Sequence, residues 1–592
     1  MRKFYLTGAA AAAFVVGFGG VELSKPAPGA PFINPLDIVR SVCGKDAGAA
    51  LKRRAYFASI GAAEAALYDE AKAGAPQLRQ QPVAGISYKV TTASAKAQAL
   101  FDAGVAHMWN FNHGEAINAF RAAQAEDPDC AMCVWAEAFA WGPNINMPMP
   151  DEAVAPAWEA TQKALALRSK ASAKEQALID ALAVRYAKAP VADRSAQDAA
   201  FADAMEKVAA TYPGDDFIAS TSAEANMDTQ PWDYWQADGR TPKGRAGKTL
   251  SLLEAVLARN PAYQPAIHLY IHTTEATTNP FRAVPYADRL AALSPGLGHL
   301  IHMPSHTYAR IGRYKQSMDL NLEAVKADEA FLASADASPM FEFGYYVHNV
   351  HFVMTSAQMA GDGATALAMA KKLDAKIPVE MAIEVPLAAP IKTAPYYAMV
   401  QFAAPADILA LEDPGDDAPF LRAAWHYARG EAFAKTGETG KARAEAEAIS
   451  ALRANEDFSK LVANLIPAPD ILQIQHLTVI ARTAAADGDL ASAIEAMEEV
   501  VALQKALNYT EPPYWYYPAK QTLAALALKA GDAERAEQLF VESLSEIPNN
   551  GWAFYGLSEA YKAQGDKHAK KYAESLMKAA WLGKERPALD RL

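Results

Sequence analysis

Histidines in this sequence are concentrated in one stretch. Seven of the twelve lie between positions 268 and 351, within 84 of the 592 residues, in the segments HLYIHTTE, GHLIHMPSH and YVHNVH. Imidazole is a common protein ligand for zinc, copper, iron and nickel ions. Metal coordination explains such a cluster well, whereas core packing explains it poorly. The stretch therefore indicates a transition-metal site.

The spacing within each segment places its histidines on one face of a helix. Successive helical residues turn by about 100°, so side chains three, four or seven positions apart lie together. The groups are His268, His272 and Glu275 in the first segment, His299, His302 and His306 in the second, and His348 and His351 in the third. One catalytic ion typically takes three or four protein ligands. The groups therefore supply enough ligands for one or two ions.

Composition and charge exclude some classes of function. The chain is 51% hydrophobic, which is enough for a large core or a long array of repeats. Its formal net charge is -12, and it contains no cluster of basic residues. Because binding to phosphate groups depends on grouped lysines and arginines, we exclude nucleic acid as a partner.

The N-terminal residues are typical of a secretory signal. Arg2 and Lys3 precede an apolar run from Tyr5 to Val21, which matches the basic and hydrophobic parts of a signal peptide. We expect a signal peptide within residues 1–24, with an unspecified cleavage point, and a periplasmic or secreted protein. An uncleaved membrane anchor is the alternative. No other stretch is long and apolar enough to span a bilayer.

Two of the three cysteines are close together. Cys130 and Cys133 form a Cys-x-x-Cys segment at the predicted start of a helix, and Cys43 is left over. At this helical spacing, their Cα atoms fall within the usual disulfide range of about 4.4–6.8 Å. In an oxidising compartment we expect a local disulfide. The alternative is a thioredoxin-like redox pair, which would need a βαβ context that the sequence lacks.

From position 95 to position 592 the pattern is one of repeated helix pairs. In PNNGWAFYGLSEAYKAQGD (548–566), aromatic and small residues recur at helical spacing before a Gly-Asp turn. With these features the chain resembles tetratricopeptide repeat (TPR) proteins, whose units are helix-turn-helix pairs of about 34 residues. The resemblance implies an all-α fold, a TPR-like helix-pair solenoid with a right-handed superhelix over residues 95–592. Residues 25–94 are then an N-terminal linker and helical segment.

The repeat register places the three histidine segments side by side. Small residues at TPR packing positions, such as Ala283 and Ala324, set the register. The units start at Asp216, Gln264, Gly298 and, after an insertion of about fifteen residues, Val347. In the TPR family these first-helix positions line the concave groove. The resemblance therefore implies a histidine-rich groove within residues 216–378 that takes a peptide, protein or small-molecule ligand.

Two further residues contribute to the predicted site. Glu224 lies on the first helix of the upstream unit and adds a carboxylate ligand. Pro304 lies inside the helix of the second segment, where it removes the backbone hydrogen bond to the Leu300 carbonyl. We expect a kink between His302 and His306. Alternatively, Pro304 ends a short helix.

Other histidines and two aromatic segments have different interpretations. His107 and His426 fall at packing positions and His113 lies near a turn, so we interpret them as structural. The aromatic segments EPPYWYYP (511–518) and QPWDYWQADGR (230–240) are predicted loops that cover the groove or bind an organic ligand. Packing between superhelical turns is the alternative for both segments.

Three functions remain open. The segments PNIN (143–146), PWDYW, HLYIH, GHLIHMPSH and WYYP resemble a group of exported bacterial TPR proteins of unestablished activity, so no catalytic residue is implied. The first function is a metalloenzyme, an oxidoreductase or hydrolase, with one or two copper, zinc or iron ions. Two histidine triads suit a coupled dicopper centre, and Glu224 and Glu275 suit di-iron or zinc. The second is a protein- or peptide-binding TPR scaffold without catalytic activity, and the third is a scaffold without metal.

Overall fold

The structure is a computed structural model that describes residues 86–191, 193–333, 338–515 and 517–592. The predicted signal peptide, most of the predicted linker segment and Cys43 lie outside these residues. Helices dominate the described ranges, which contain no β-strand and only two isolated bridges, Asn144 with Met147 and Trp235 with Pro242. The all-α prediction is confirmed.

The α-helices are numbered here in chain order. Helices α1–α9 are Ala95–Trp109, His113–Glu126, Ala131–Ala140, Asp151–Ala166, Ala173–Leu182, Ser195–Thr211, Asp216–Asp228, Ala246–Arg259 and Gln264–Thr274. Helices α10–α18 are Val284–Leu293, Gly298–His302, Pro304–Ile311, Tyr314–Leu332, Tyr346–Ala360, Gly363–Lys376, Val379–Glu384, Ala388–Phe402 and Pro405–Leu409. Helices α19–α27 are Pro419–Thr436, Thr439–Asn455, Ser459–Ala463, Ala468–Asp487, Leu490–Ala506, Ala519–Lys529, Ala533–Glu546, Gly551–Ala563 and Lys567–Ala580.

Helix pairs repeat along the chain, as a TPR-like solenoid requires. Helix α1 packs against α2, α14 against α15, α22 against α23, and α26 against α27. Four turns within pairs share a Gly-Asp sequence, at 361–362, 488–489, 531–532 and 565–566. Each glycine has a positive φ, which glycine adopts without steric cost. Each aspartate carboxylate then accepts a hydrogen bond from a backbone N–H in the first turn of the next helix.

The predicted unit starts agree with the observed helices. Helices α7, α9 and α11 begin at the predicted residues Asp216, Gln264 and Gly298. Helix α14 begins at Tyr346, one residue before the prediction, because a turn of π-helix at Phe341–Tyr345 leads directly into it. First helices of neighbouring units contact each other: α7 contacts α9, α9 contacts α12, and α11 contacts α14. This contact brings the three histidine segments together.

Helix α11 is separated from α12 at Met303. Pro304 is the first residue of α12 and has no N–H to donate to the Leu300 carbonyl, so the helical hydrogen bonds are interrupted here. Met303 keeps right-handed helical dihedral angles. The second segment is therefore divided into two short helices between His302 and His306, and the predicted kink stays a prediction.

The two neighbouring cysteines form the predicted local disulfide. Cys130 and Cys133 are bonded, with their Cα atoms 5.4 Å apart. Cys130 is the N-cap residue of α3, and both side chains are fully buried.

None of the helices in the described ranges combines the length and apolar character that crossing a bilayer requires.

Candidate metal centre

Six histidines form two groups that we call the first and second triads. The first triad is His268, His272 and His299, and the second triad is His302, His306 and His348. Within each triad, one ligand nitrogen from each residue lies within 4.8 Å of the others. All six were predicted from spacing and register. Five of the six side chains are buried and His348 is half-buried.

The first triad is built from two consecutive units. His268 and His272 lie one turn apart on α9, and His299 is the second residue of α11. The Nε2 atoms of His268 and His299 lie 3.1 Å apart. Two nitrogens that bind one zinc ion in a tetrahedral site lie about 3.3 Å apart. The pair is therefore already close to the separation that a shared ion requires.

The second triad spans the interruption at Met303. His302 ends α11, His306 lies on α12, and His348 is on α14 of the next unit. The Nε2 atoms of His302 and His306 lie 2.8 Å apart. The ring of His348 lies 4.7 Å from that of His302, measured between centroids.

Glu275 lies between the two triads. This residue directly follows the last residue of α9. Its carboxylate Oε1 atom lies 2.9 Å from His272 Nδ1, and its Oε2 atom lies 2.6 Å from His306 Nδ1. One carboxylate therefore orients a histidine of each triad, and the rings of His272 and His306 lie only 5.4 Å apart. A carboxylate behind an imidazole fixes the ring and its tautomer at many metal sites.

Asn321 holds His302 in the same way. The Oδ1 atom of Asn321 accepts a hydrogen bond from His302 Nδ1 at 2.6 Å. Its Nδ2 atom donates to the Ser305 hydroxyl and to the Ser317 carbonyl, both at 2.7 Å, which sets the orientation of the amide. Asn321 is fully buried on α13, the second helix of its unit. The repeat register predicts only residues of first helices at the site. Asn321 lies on a second helix and is therefore not predicted by it.

These contacts point two Nε2 atoms at each other. A neutral imidazole has one protonated nitrogen and one lone pair. In His302 and His306 the Nδ1 atoms face oxygen acceptors, so the Nε2 atoms face each other across 2.8 Å, where the protonated His306 donates to His302. Two facing lone pairs repel unless a cation lies between them, either a proton or a metal ion. In the first triad, His272 Nε2 is buried without a hydrogen-bond partner.

Burial keeps most of these rings in the neutral form that binds metals. Burial, followed by the neighbouring imidazoles, lowers the pKa of His268, His299, His302 and His348 well below 6.5. His306 differs, because the Glu275 carboxylate outweighs burial and raises its pKa. Burial also opposes ionisation of Glu275, but the positive charge of His306 and hydrogen bonds from both histidines lower the pKa of this carboxyl to about 2.

Aromatic rings form the walls of the site. Phe111 lies 4.5 Å from the His268 ring and 5.1 Å from the His299 ring, between centroids. Phe352 lies 4.8 Å from both His302 and His306. Phe111 has a positive φ of 55°, at the turn between α1 and α2, a conformation that is uncommon for a residue with a side chain. The walls are apolar and exclude water from the imidazoles.

Of the two aromatic segments predicted to cover the groove, 230–240 borders the triads, whereas Trp515 of 511–518 packs against Tyr397 and Tyr427. The ring of Trp232, from the 230–240 segment, lies 5.1 Å from His272 and is 41% exposed. Tyr509, just before the 511–518 segment, donates a hydrogen bond to Glu275 Oε2 at 3.4 Å and a shorter one to Glu511 Oε1 at 2.7 Å. Arg310 lies over the Tyr509 ring, 5.2 Å from its centroid. These side chains form the solvent-facing boundary of the site.

Besides Glu275, two predicted ligands lie outside both triads. Among the described residues, Glu224 and His351 belong to no group of converging metal-ligand atoms. Glu224 is buried near Arg185, which donates a hydrogen bond to Asp228 at 2.8 Å. Burial raises the pKa of Glu224 to about 7, although Arg185 opposes this. The roles of Glu224 and His351 as metal ligands stay predictions.

The remaining histidines have other surroundings. His426 Nδ1 lies 2.5 Å from Glu445 Oε2, and the His107 ring lies 6.3 Å from the Phe331 ring. His113 Nε2 lies 3.3 Å from the Asn144 amide nitrogen. Each is a helical residue beside a side chain of another helix or loop, as the structural interpretation of these residues expects.

Comparison with known proteins adds no functional assignment. No protein-family model matches the chain, and no curated protein matches it. Similar solved structures include the human IFIT1 dimer with m7Gppp-AAAA (11% identity, 81% of this chain and 90% of that chain, TM-score 0.31). Another is the APC/C hetero-tetramer Cut9-Hcn1, with 10% identity, coverage of 82% of this chain and 94% of that chain, and a TM-score of 0.24. A third is the P58(IPK) TPR domain, with 15% identity, coverage of 59% of this chain and 91% of that chain, and a TM-score of 0.19. These TM-scores lie below 0.5, so the TPR-like fold rests on the repeated helix pairs described above.

Proposed function

We propose that this chain is an exported TPR-like solenoid that binds two transition-metal ions, one in each histidine triad. The observation that carries the proposal is the pair of facing Nε2 atoms of His302 and His306, whose Nδ1 atoms are both occupied by oxygen acceptors. A metal ion would take the place of the proton that these two nitrogens otherwise share, and both would then be its ligands. In the first triad the Nε2 atoms of His268 and His299 face each other at 3.1 Å, and the Glu275 carboxylate lies behind His272.

The ligand set favours copper. Each triad offers three imidazoles, and the described part of the chain places no thiolate beside them. Imidazole suits copper, zinc, iron and nickel, and copper has the highest affinity among divalent first-row ions for such sites. Three protein ligands also leave a position for a small molecule, as in catalytic metal sites. Zinc and iron are the alternatives that metal analysis will distinguish.

The arrangement best supports an oxidoreductase. Two copper ions in one pocket would supply a centre that exchanges two electrons with a bound small molecule. The protein's own contribution is to orient the imidazoles through Glu275 and Asn321 and to exclude water with Phe111 and Phe352. If the ions are zinc, a hydrolase follows instead, because zinc activates water but has no redox chemistry.

Export is proposed on two grounds. The run from Arg2 to Val21 has the order of a secretory signal. The Cys130–Cys133 disulfide fits an oxidising compartment. The mature N-terminus, read by mass spectrometry of protein from its own host, is then expected to begin after the apolar run.

The test is metal analysis of the full chain purified without chelator and, separately, loaded with Cu²⁺. We expect two equivalents per chain. His268→Ala should remove one equivalent and His302→Ala the other, because each triad loses a direct ligand. The double variant should bind neither ion while keeping the helical circular dichroism of the wild type, since packing is carried by other positions.

His107→Ala and His426→Ala are the matched controls. Both remove a helical histidine outside the triads, so the metal content should remain at two equivalents while the melting temperature falls through lost packing. Full metal content in the His268/His302 double variant would reject the proposal. A wild type that binds no transition metal would also reject it and favour the peptide-binding scaffold.

A further inference from the structure

A second site lies in the C-terminal half of the described chain. A cavity of about 630 Å³ is enclosed mainly by α17, α19, α22 and α24, and by the segment around Leu589–Arg591. None of the six triad histidines lines it. Cavities of about 300–1,000 Å³ are typical of small-molecule sites. The size therefore fits a ligand of drug-like dimensions.

One wall of this cavity is aromatic. Tyr397, Tyr427 and Trp515 are buried and pack with ring centroids 5.2–5.7 Å apart. Gln475 donates a hydrogen bond to the Tyr397 hydroxyl at 2.9 Å, which leaves the ring face for apolar contact. Such a wall binds an apolar or aromatic body better than a polar one.

The charged residues that line the cavity are mostly basic. The basic residues are Lys435, Arg482, Lys529 and Arg591, and the acidic ones are Glu431 and Asp590. This surplus of positive charge stands out in a chain whose formal net charge is -12. A locally positive cavity in an acidic protein selects an anionic ligand.

Two of these basic groups are available to a ligand. Arg482 lies 3.4 Å from Glu431, and Lys529 donates a hydrogen bond to the Ala485 carbonyl. The side chains of Lys435 and Arg591 form no ion pair with another described residue. Burial and then the nearby Arg591 guanidinium lower the pKa of Lys435, although the Asp590 and Glu431 carboxylates oppose this shift. An anion between the two side chains would relieve this repulsion.

We propose that this cavity binds a small organic monocarboxylate, with its apolar body against the aromatic wall of Tyr397, Tyr427 and Trp515 and its carboxylate between Lys435 and Arg591. The site is separate from the triads, so the proposal does not depend on metal binding. The same ligand chemistry occurs at the C-terminus of a peptide. The cavity favours the small acid because it is a bounded space rather than an extended groove.

The probe is 4-phenylbutyrate, titrated calorimetrically into the full chain with and without bound metal. We expect binding in both forms, and binding about tenfold weaker for neutral 4-phenylbutan-1-ol, because the alcohol cannot form the charge-assisted hydrogen bond. Lys435→Gln combined with Arg591→Gln should raise the Kd for the acid about tenfold. Lys371→Gln, which removes an exposed lysine outside the cavity, should leave it unchanged.

A second variant tests the place of binding. Ala525 lines the cavity and is almost fully buried, so Ala525→Trp should fill the space and abolish binding while the helical circular dichroism is retained. Equal affinity for the acid and the alcohol would overturn the proposal, as would full affinity in the Lys435/Arg591 double variant or in Ala525→Trp. Tighter binding of the tripeptide Ala-Ala-Phe than of 4-phenylbutyrate would overturn it in favour of a peptide site.

Discussion

At the scale of single residues, the metal centre depends on oxygen atoms that do not themselves need to bind an ion. Asn321 fixes the His302 ring, and its own orientation is set by Ser305 and Ser317. Asn321→Leu replaces the amide with an apolar side chain of similar size and so removes the acceptor behind His302. Changes of this kind lower metal affinity by about 10–100-fold. Competitive metal titration should therefore show one weakened and one unchanged site.

The control for this variant is Asn455→Leu, which changes an exposed asparagine on α20, remote in sequence from the triads. Both of its metal affinities should equal those of the wild type. If Asn321→Leu binds two ions with wild-type affinities, the amide does not orient His302.

The ligands were easier to predict than the residues that hold them. Spacing and register identified all six triad histidines and Glu275, because ligands on first helices repeat with the helical and TPR periods. Asn321 has no such signal: it is a single buried polar residue on a second helix, and only the structure shows which side chain its oxygen meets.

Asp328 gives a prediction about pH. It is buried on α13, where it accepts a hydrogen bond from Asn349 at 2.7 Å. Burial raises its pKa from 3.8 to about 7, although the Asn349 amide opposes this shift. The folded state therefore holds a proton that the unfolded state releases near pH 4. The resulting stabilisation is complete below about pH 4 and is lost as the pH rises to about 7, by on the order of 1 kcal/mol per pKa unit.

Asp328→Asn removes this ionisation while keeping a hydrogen-bonding side chain of the same size. Urea unfolding of metal-free protein should give a smaller fall in the free energy of unfolding between pH 4 and pH 8 than in the wild type. Asp319→Asn, an exposed change on the same helix, should retain the wild-type pH dependence. Identical pH profiles for Asp328→Asn and the wild type would contradict the prediction.

At the scale of secondary structure, the division between α11 and α12 sets the direction of the second triad. Pro304 prevents a continuous helix through His302 and His306. Pro304→Ala restores the missing N–H, so we expect the two helices to merge and the free energy of unfolding to rise, by up to about 3 kcal/mol. The same change should move His306 relative to His302 and weaken the second metal site about tenfold or more.

Pro156→Ala is the matched control, because Pro156 also lies inside a helix, α4, but remote in sequence from the triads. It should raise the free energy of unfolding without changing either metal affinity. Thermal unfolding of metal-free protein and metal titration separate the two effects. An unchanged second site in Pro304→Ala would show that the interruption does not aim the histidines.

The elements were predictable because their signals are local. Small residues at repeat packing positions, such as Ala283 and Ala324, and a 34-residue register predicted the starts of α9 and α11. The start of α14 differs by one residue because the π-helical turn at Phe341–Tyr345 belongs to the insertion, which carries no repeat signal.

At the scale of the whole molecule, residues far apart in sequence enclose the triads. Asn110, at the turn after α1, accepts a hydrogen bond from the Leu300 N–H of α11, and its neighbour Phe111 forms one wall of the site. From the other end of the chain, Tyr509 reaches Glu275. Trp552 Nε1 also donates to the Gln358 carbonyl at 3.0 Å, so the C-terminal helices pack against α14. A repeat register predicts neighbouring units but not these distant contacts.

We expect the loop that carries Tyr509 to control access to the candidate site. The Tyr509 hydroxyl donates a hydrogen bond to Glu511, and the Arg310 guanidinium lies over the Tyr509 ring. Because Tyr509 is 41% exposed, it forms part of the surface between the triads and solvent. A hydrogen bond and a cation–π contact each contribute about 1 kcal/mol. Tyr509→Ser removes both, and the site should open more often.

We therefore expect Tyr509→Ser to keep two metal equivalents but to lose them to excess chelator about tenfold faster than the wild type, because the local opening equilibrium shifts by roughly 1.4 kcal/mol or more. Tyr514→Ser changes another tyrosine of the same loop, whose hydroxyl donates to the Leu465 carbonyl rather than to Glu275. Its release rate should stay at the wild-type value. If both variants release metal at the same rate, Tyr509 does not limit the opening of the site. The exposed Trp232, whose ring lies beside His272, is then the next residue to substitute.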